Sequence, residues 1–290
     1  MRYVQLRAFH HVATEGGFSR AAEALHLTQP AVSDQVRRLE EDYDVLLFDR
    51  RKKQIALTPS GEALLAVTRR LFEAEREAAE LLSEARGLRS GNLRIVADSA
   101  HHLLHILAPF RARYPGVHVS LSAGNSDEVQ ARLQSYEADI GVLGDIPEGR
   151  EFEVASLGAS PIVAFAAREF PLAAQSSVSL HELAEMPLVL REPGSRTRAM
   201  LMAAAEREGV TLNPVIEAEG REAVREIVAA GGGVGVVSRA EFGADARLVP
   251  VPISPAEGLE MEEALICLRQ RRNGKLIATF FDLAREVSGS

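Results

Sequence analysis

Residues 18–50, FSRAAEALHLTQPAVSDQVRRLEEDYDVLLFDR, decide how the chain is read. Ser19 stands where an N-cap belongs, and residues 20–25 run small and apolar (Ala21, Ala22, Ala24, Leu25) around one acid, Glu23. His26 and Leu27 break the run. Thr28 is placed to cap a second helix, with Pro30 in the first turn, where its missing N–H costs nothing. Ala31, Val32, Val36 and Leu39 mark the buried stripe of that helix, while Gln29, Ser33, Asp34, Arg37 and Arg38 lie off it. Small side chains on the first helix let the second cross it closely, as a helix-turn-helix demands. The same spacing also fits an ordinary helical hairpin with a solvated polar face.

Working outward, Val4, Leu6, Phe9, Val12 and Ala13 recur at helical spacing and stop at Gly16-Gly17, which predicts a bracing helix over residues 2–15. The neighbours His10 and His11 read as packing. On the other side, residues 45–48 and 54–57 flank a turn at 49–53 and predict a short hairpin or wing. Its tip, Arg50-Arg51-Lys52-Lys53, sets four consecutive cations near Arg37 and Arg38. Thr58-Pro59 then opens a helix expected to reach about residue 88, with no Gly or Pro between Glu62 and Arg86. Leu64, Leu71, Ala78 and Ala85 occupy one heptad position and Val67, Ala74, Leu81 and Leu88 the other. That pattern predicts a coiled coil between two copies of the chain; one helix packed on its own domain is the alternative.

The segments FSRAAEALHLTQPAVSDQVRRLE, LLFDR and LTPSGEALL, in this order through residue 65, resemble the N-terminal winged helix-turn-helix of LysR-type transcriptional regulators. Asp44 departs from the glycine usual there, but Asp tolerates the left-handed conformation that ends such a helix. The resemblance implies a homodimer or homotetramer on double-stranded DNA, at an interrupted palindromic operator, with the long helix as the linker pairing two protomers. Gln29, Pro30, Ala31, Ser33, Asp34 and Arg37 are expected to face the major groove. Thr28, Arg38, Arg50, Arg51 and Lys52 are expected nearer the phosphates.

Composition constrains without identifying. The chain of 290 residues carries a net charge of −8, which at first sight argues against a polyanion as partner. The first ninety residues are balanced at 14 basic and 14 acidic side chains, so the acidity belongs to the remainder and leaves the basic cluster free to act. One cysteine, Cys267, allows no internal disulfide, fits a reducing cytoplasm and sits in an apolar run as an inert thiol. No stretch reaches membrane-spanning length, and no cofactor or metal motif stands out. A soluble cytoplasmic protein is expected.

From residue 93 the pattern alternates. Strands are predicted at 93–97, 117–121, 139–143, 152–157, 161–166, 188–190, 215–218, 234–238 and 264–268. Helices are predicted at 99–114, 126–136, 196–208, 221–230 and 274–287, the last capped by Asn273. Such βαβαβ alternation requires a mostly parallel sheet with right-handed crossovers. LRIVADS, YPGVHVSLSAGNS, ADIGVLG and AAGGGVGVVS resemble the effector domain of the same family, an α/β fold of periplasmic-binding-protein type with two lobes. The expected layout is residues 1–58 for DNA, 59–90 for the linker helix, and 91–290 for effector binding. Within the last, one lobe takes 91–161 and 267–290 and the other 162–266.

Ligands of such folds sit between the lobes, at strand ends and helix starts. Asp98, Ser99 and His101 open one helix, Asn125 and Ser126 a second, Ser195, Arg196 and Thr197 a third, and Glu219 precedes a fourth. Plain N-capping by each hydroxyl is the alternative reading. ADSAHH and GNSDEV resemble a LysR branch associated with aminoethylphosphonate catabolism, which implies a zwitterion with its phosphonate on Ser99, Ser126, Ser195 and Thr197 and its ammonium on Asp98 or Glu219. A carboxylate effector is the other expectation, and a solute-binding protein with a fused helical module the rival class. Gly231-Gly232-Gly233-Val234-Gly235 lacks the Lys-Ser/Thr of a phosphate loop, and His101 with His105 lacks further zinc ligands. No nucleophile elbow or acid/base pair marks an enzyme.

Overall fold

The computed structural model describes residues 1–49, 55–82, 91–144, 146, 150–255 and 257–288. The chain forms two compact units, Met1–Ser83 and Glu84–Ser290.

In the first unit, helices α1 (Tyr3–Glu15), α2 (Phe18–Leu25) and α3 (Gln29–Tyr43) close around Phe9, Val12, Ala21, Val32, Val36, Leu39 and Phe48. Helix α2 begins one residue before the expected Ser19 cap: Gly17 is extended at its N-cap, and Phe18 packs its ring 5.8 Å from that of Phe48. Thr28 accepts a hydrogen bond from the Ala31 N–H and so caps α3. Asp44 ends that helix in the left-handed conformation, φ 50°. The buried Glu40 carboxylate accepts the Leu47 N–H at 2.8 Å, tying the helix to the wing strands β1 (Phe48–Asp49) and β2 (Ala56–Leu57), which pair antiparallel.

Helix α4 (Pro59–Leu82) turns Leu65 and Thr68 into this core, where Thr68 Oγ1 meets His10 Nδ1 at 3.1 Å. Leu64 also packs there, in part. The flank beside that face leaves Val67 at 50% and Leu71 at 41% exposure, with Ala74 and Ala78 exposed alongside. The heptad therefore divides between the protomer's own core and an uncovered stripe. The side chain of Leu81, and Ala85 and Leu88, lie outside the described residues.

The second unit is built on strands β3 (Gly91–Ala97), β4 (Val117–Ala123), β5 (Ile140–Gly144), β6 (Phe152–Ala167), β7 (Leu188–Arg191), β8 (Pro214–Ala218), β9 (Val234–Ser238), β10 (Leu248–Pro252) and β11 (Glu260–Leu268). The sheet runs β4-β3-β5-β11-β6-β9-β7-β8, with β10 paired to β6. Helices α5 (Leu104–Arg113), α6 (Ser126–Gln134), α7 (Leu180–Ala184), α8 (Arg196–Arg207), α9 (Arg221–Ala229) and α10 (Lys275–Ser288) cover it. No described helix is long and apolar enough to cross a membrane.

Several expectations shift. The two strands expected at 152–157 and 161–166 are one strand, β6: its pairing with β11 shifts register at residues 156–158, beside Gly158, without a turn, and Pro161 pairs regularly with Glu260. Its first part pairs with β11 and its second with β9 and β10, so β6 passes from one lobe to the other. On the return strand, Leu259 and Met261 join the second lobe's core, around Ile162, Leu188, Leu201 and Val234. Leu265 and Cys267 join the first lobe's, around Ile95, Ile106, Ile140 and Phe280. The second crossing thus falls between Met261 and Ala264, ahead of the expected 266/267 boundary. Helix α5 starts late, behind a 3-10 turn at His101–Leu103, because Ser99 Oγ accepts the His101 N–H. Gly274, not Asn273, receives the first bond of α10, from Ala278 N at 2.8 Å.

One buried ionic group staples the first lobe. Asp139, 2% exposed, accepts from Arg94 Nη2 at 2.6 Å, the Arg94 backbone N–H at 2.7 Å and Arg271 Nη2 at 2.8 Å.

Candidate functional site

The first unit offers the start of α3. Thr28, Gln29 and Pro30 are exposed, and Ala31, Ser33 and Asp34 are half-buried beside them. Farther along, Arg37 pairs with Asp34 and with Glu41 (2.7 Å), and Arg38 pairs with the other Asp34 oxygen at 2.8 Å. Asp34 thus holds two guanidiniums. All three pairs are at the surface, so each is worth little and exchanges readily for a phosphate partner. Arg50, Arg51 and Lys52 lie outside the described residues.

The second unit contains a cleft of about 670 Å³, lined by elements of both lobes. From the first lobe come Asp98, at the carboxyl end of β3, and Asn125 and Glu128, at the start of α6. From the second come Arg191, the last paired residue of β7, and Glu192 after it, Glu219 after β8, and residues 220–223 at the start of α9. Gly220 caps α9 without a side chain, at φ 77°, so the helix start meets the cleft as bare backbone.

Of the expected ligand residues, Asp98, Asn125 and Glu219 line this cleft. Asn125 spends its side-chain oxygen on the Glu128 N–H, and Glu128 returns the bond to Asn125 N, each at 3.0 Å. Ser99, Ser126, Ser195 and Thr197 are buried behind the lining, at 2%, 6%, 1% and 7% exposure. Their spacing placed them at helix starts but not their direction: Ser99 caps its own turn, Ser126 Oγ donates to Asp98 Oδ2 (3.2 Å), and Thr197 Oγ1 meets Met261 Sδ at 3.7 Å. Ser195 Oγ finds no partner among the described residues. His101 is exposed on its 3-10 turn and Arg196 is half-buried. Arg191, Glu192 and Glu222 were passed over, although the rule that picked Glu219 applies to them equally; Arg221, at the same helix start as Glu219, lines the cleft as well.

Asp98 Oδ2 also accepts the Gly144 N–H at 3.0 Å. Burial and the nearby Glu241 raise its pKa from 3.8 to about 6, with a further contribution from Glu263, against the Gly144 bond and Arg221, which lower it. Folding therefore favours the protonated carboxyl, and the group costs stability progressively as pH rises from about 4 through about 6. Asp98→Asn keeps an acceptor and removes the charge. It is expected to raise Tm at pH 8 by roughly 2–10 °C, for about 1–3 kcal/mol, and to leave it unchanged near pH 4. Thermal melts at the two pH values check this; a gain of equal size at both would remove the charge argument. The Cys267 thiol is fully buried, and burial pushes its pKa up to about 12.

Comparison with known proteins covers both units. Residues 3–62 match the bacterial regulatory helix-turn-helix protein family, lysR type, and residues 86–289 match the LysR substrate binding domain. The chain is 36% identical to the RuBisCO operon transcriptional regulator of Allochromatium vinosum, over 81% of this chain and 78% of that one. Full-length OxyR from Pseudomonas aeruginosa shares the fold, with a TM-score of 0.78 at 22% identity, over 98% of this chain and 95% of that one. The regulatory domain of CcmR from Synechocystis, in complex with 2-PG, is 25% identical with a TM-score of 0.62, over 69% of this chain and 98% of that one.

Proposed function

The chain belongs to the LysR family of DNA-binding transcriptional regulators, and on that premise we propose how its parts divide the work. Residues 1–58 read an interrupted palindrome in double-stranded DNA through the start of α3. Residues 59–90 pair two protomers. Residues 91–290 sense a small anionic or zwitterionic metabolite in the interlobe cleft. The observation that carries this reading is the pairing of an exposed, polar α3 start in one unit with a two-lobed cleft in the other. Ligand shifts a pre-existing balance of lobe arrangements, which changes how the recognition helices meet the two half-sites.

The start of α9 suits the anionic end of the effector, since its first-turn N–H groups need acceptors. The resemblance carried by ADSAHH and GNSDEV supplies 2-aminoethylphosphonate as the compound to try first, with its ammonium on Asp98 or Glu219. The relatives point elsewhere by name, one to a RuBisCO operon and one to 2-PG, and a phosphate end at the same helix start is compatible with both.

Two gel-retardation experiments test the reading. Gln29→Ala and Ser33→Ala are expected to change sequence preference, at about 1–3 kcal/mol for each lost base contact, with the salt dependence kept. Equal weakening on all sequences would move those side chains off the bases. Ala123→Trp, which fills the cleft beside Asn125, is expected to leave operator affinity intact and abolish the response to 2-aminoethylphosphonate. A response that survives it would place the sensor elsewhere.

A further inference from the structure

The ionisable groups facing the cleft are five carboxylates, Asp98, Glu128, Glu192, Glu219 and Glu222, against two guanidiniums, Arg191 and Arg221, among the described residues. Both guanidiniums are already spent. Arg191 Nη2 is 2.6 Å from Glu192 Oε1, and Arg221 Nη2 is 2.6 Å from Glu241 Oε1. Glu128 and Glu192 are engaged by backbone N–H groups as well. That leaves negative charge without a cation from both lobes. Asp98, in the first lobe, uses only Oδ2 toward the protein and makes no ion pair among the described residues; Arg221, itself paired with Glu241, acts on it without contact. Glu219 is exposed on the second lobe. Behind them lie Glu241, 5% exposed, and Glu263, 3% exposed, the latter accepting from Ser238 Oγ at 3.1 Å.

This pattern has an energetic consequence in each direction. A ligand bearing only negative charge adds a like charge to an acidic enclosure, and such juxtapositions cost several kcal/mol. The α9 start offsets part of that with about half a positive charge. A protonated amine, by contrast, brings charged donors to Asp98, whose Oδ2 receives only the neutral Ser126 Oγ and Gly144 N–H, and to the exposed Glu219. Held between lobes, it also turns a mutual repulsion across the cleft into a shared attraction.

Taking the cleft as the effector site proposed above, we propose that it selects effectors carrying a protonated amine, which Asp98 of the first lobe and Glu219 of the second hold between them. Such a bridge favours whichever lobe arrangement lets both carboxylates reach one ammonium. The anionic end of the same molecule lies at the start of α9. The ligand class is thus a small zwitterion, and fully anionic analogues of the same size are discriminated against by charge rather than by shape.

The test is calorimetry on the full chain at about pH 7.5, where Asp98 is mainly ionised, with two compounds that differ only in the amine: 2-aminoethylphosphonate and ethylphosphonate. The amine is expected to bind at least about tenfold more tightly, the worth of one charged hydrogen bond. Asp98→Asn is expected to bring the pair within about threefold, by weakening the amine and strengthening the plain phosphonate. Glu219→Gln, at an exposed position, carries the same comparison if Asp98→Asn does not fold. Ala123→Trp is expected to remove both binding events. Equal or tighter binding of ethylphosphonate, still sensitive to Ala123→Trp, overturns the charge selection and leaves the cleft as the effector site. Binding indifferent to Ala123→Trp overturns the cleft reading itself. No heat from either compound at millimolar concentration overturns the proposed ligand class, and the cleft then stands or falls on the operator response of other metabolites.

Discussion

Leu71→Asp is expected to separate the protomers and to lower operator affinity by about 10²–10⁴-fold, the avidity lost when two half-sites are no longer engaged together. The expectation follows from which side of α4 the protein uses. Leu65 and Thr68 are buried in the first unit's own core, so that side is committed. Val67 and Leu71 stay 50% and 41% exposed one turn apart, and Ala74 and Ala78 continue the stripe without bulk. A second copy covering this stripe would bury Leu71, and a carboxylate there would lose its water without gaining a partner. The protomer's own core makes no use of that position, so folding of the first unit is expected to survive. Sedimentation should show a monomer while the circular dichroism melt of the first unit is unchanged. An unchanged oligomer with a destabilised unit would mean that Leu71 packs within its own protomer.

Asp139→Ala is expected to cost about 3–5 kcal/mol, because it strands buried positive charge. In a unit of this size that corresponds to roughly 6–20 °C in Tm. The Arg271 side chain is 5% accessible, and besides Asp139 it donates to the Ala138 carbonyl at 3.2 Å. Arg94, 33% accessible, can turn to water when its partner goes, whereas Arg271 has less room to do so. Arg271→Met added to Asp139→Ala should therefore recover part of the loss, as removal of both charges from a buried pair commonly does. Calorimetric melts of the two variants check this. A single-variant loss below about 1 kcal/mol would show that solvent already reaches the pair.

The helix-turn-helix was legible because its signals are local. Thr28 and Pro30 announce α3, the small side chains of α2 announce a close crossing, and all lie within one short stretch. Asp34 with Arg37 and Arg38 is equally local, since spacings of three and four residues on a helix predict the ion pairs. The second unit was legible as alternating strands and helices, but not in its joins. Gly158 and Pro161 look like a turn in one dimension; in three, Gly158 stands at an irregularity in β6 and Pro161 pairs regularly within it. Pro250 and Pro252 concealed β10, which pairs with β6 outside the main strand order. The cleft was half legible. Strand ends and helix starts picked Asp98, Asn125 and Glu219, but a position at a helix start does not say which way a hydroxyl turns. Glu241 and Glu263 were beyond any local rule, since the turn after β9 and the second chain crossing, both far along the sequence, bring them toward Asp98.

Selection of bound duplexes from a random pool by the full-length chain, at moderate salt, tests most directly that this is a paired, sequence-reading DNA-binding protein. The expected result is one enriched motif, an interrupted inverted repeat with half-sites about one helical turn or a multiple apart, whose affinity falls as salt rises. An unenriched pool, or a single unrepeated site bound equally well by Leu71→Asp, would contradict it.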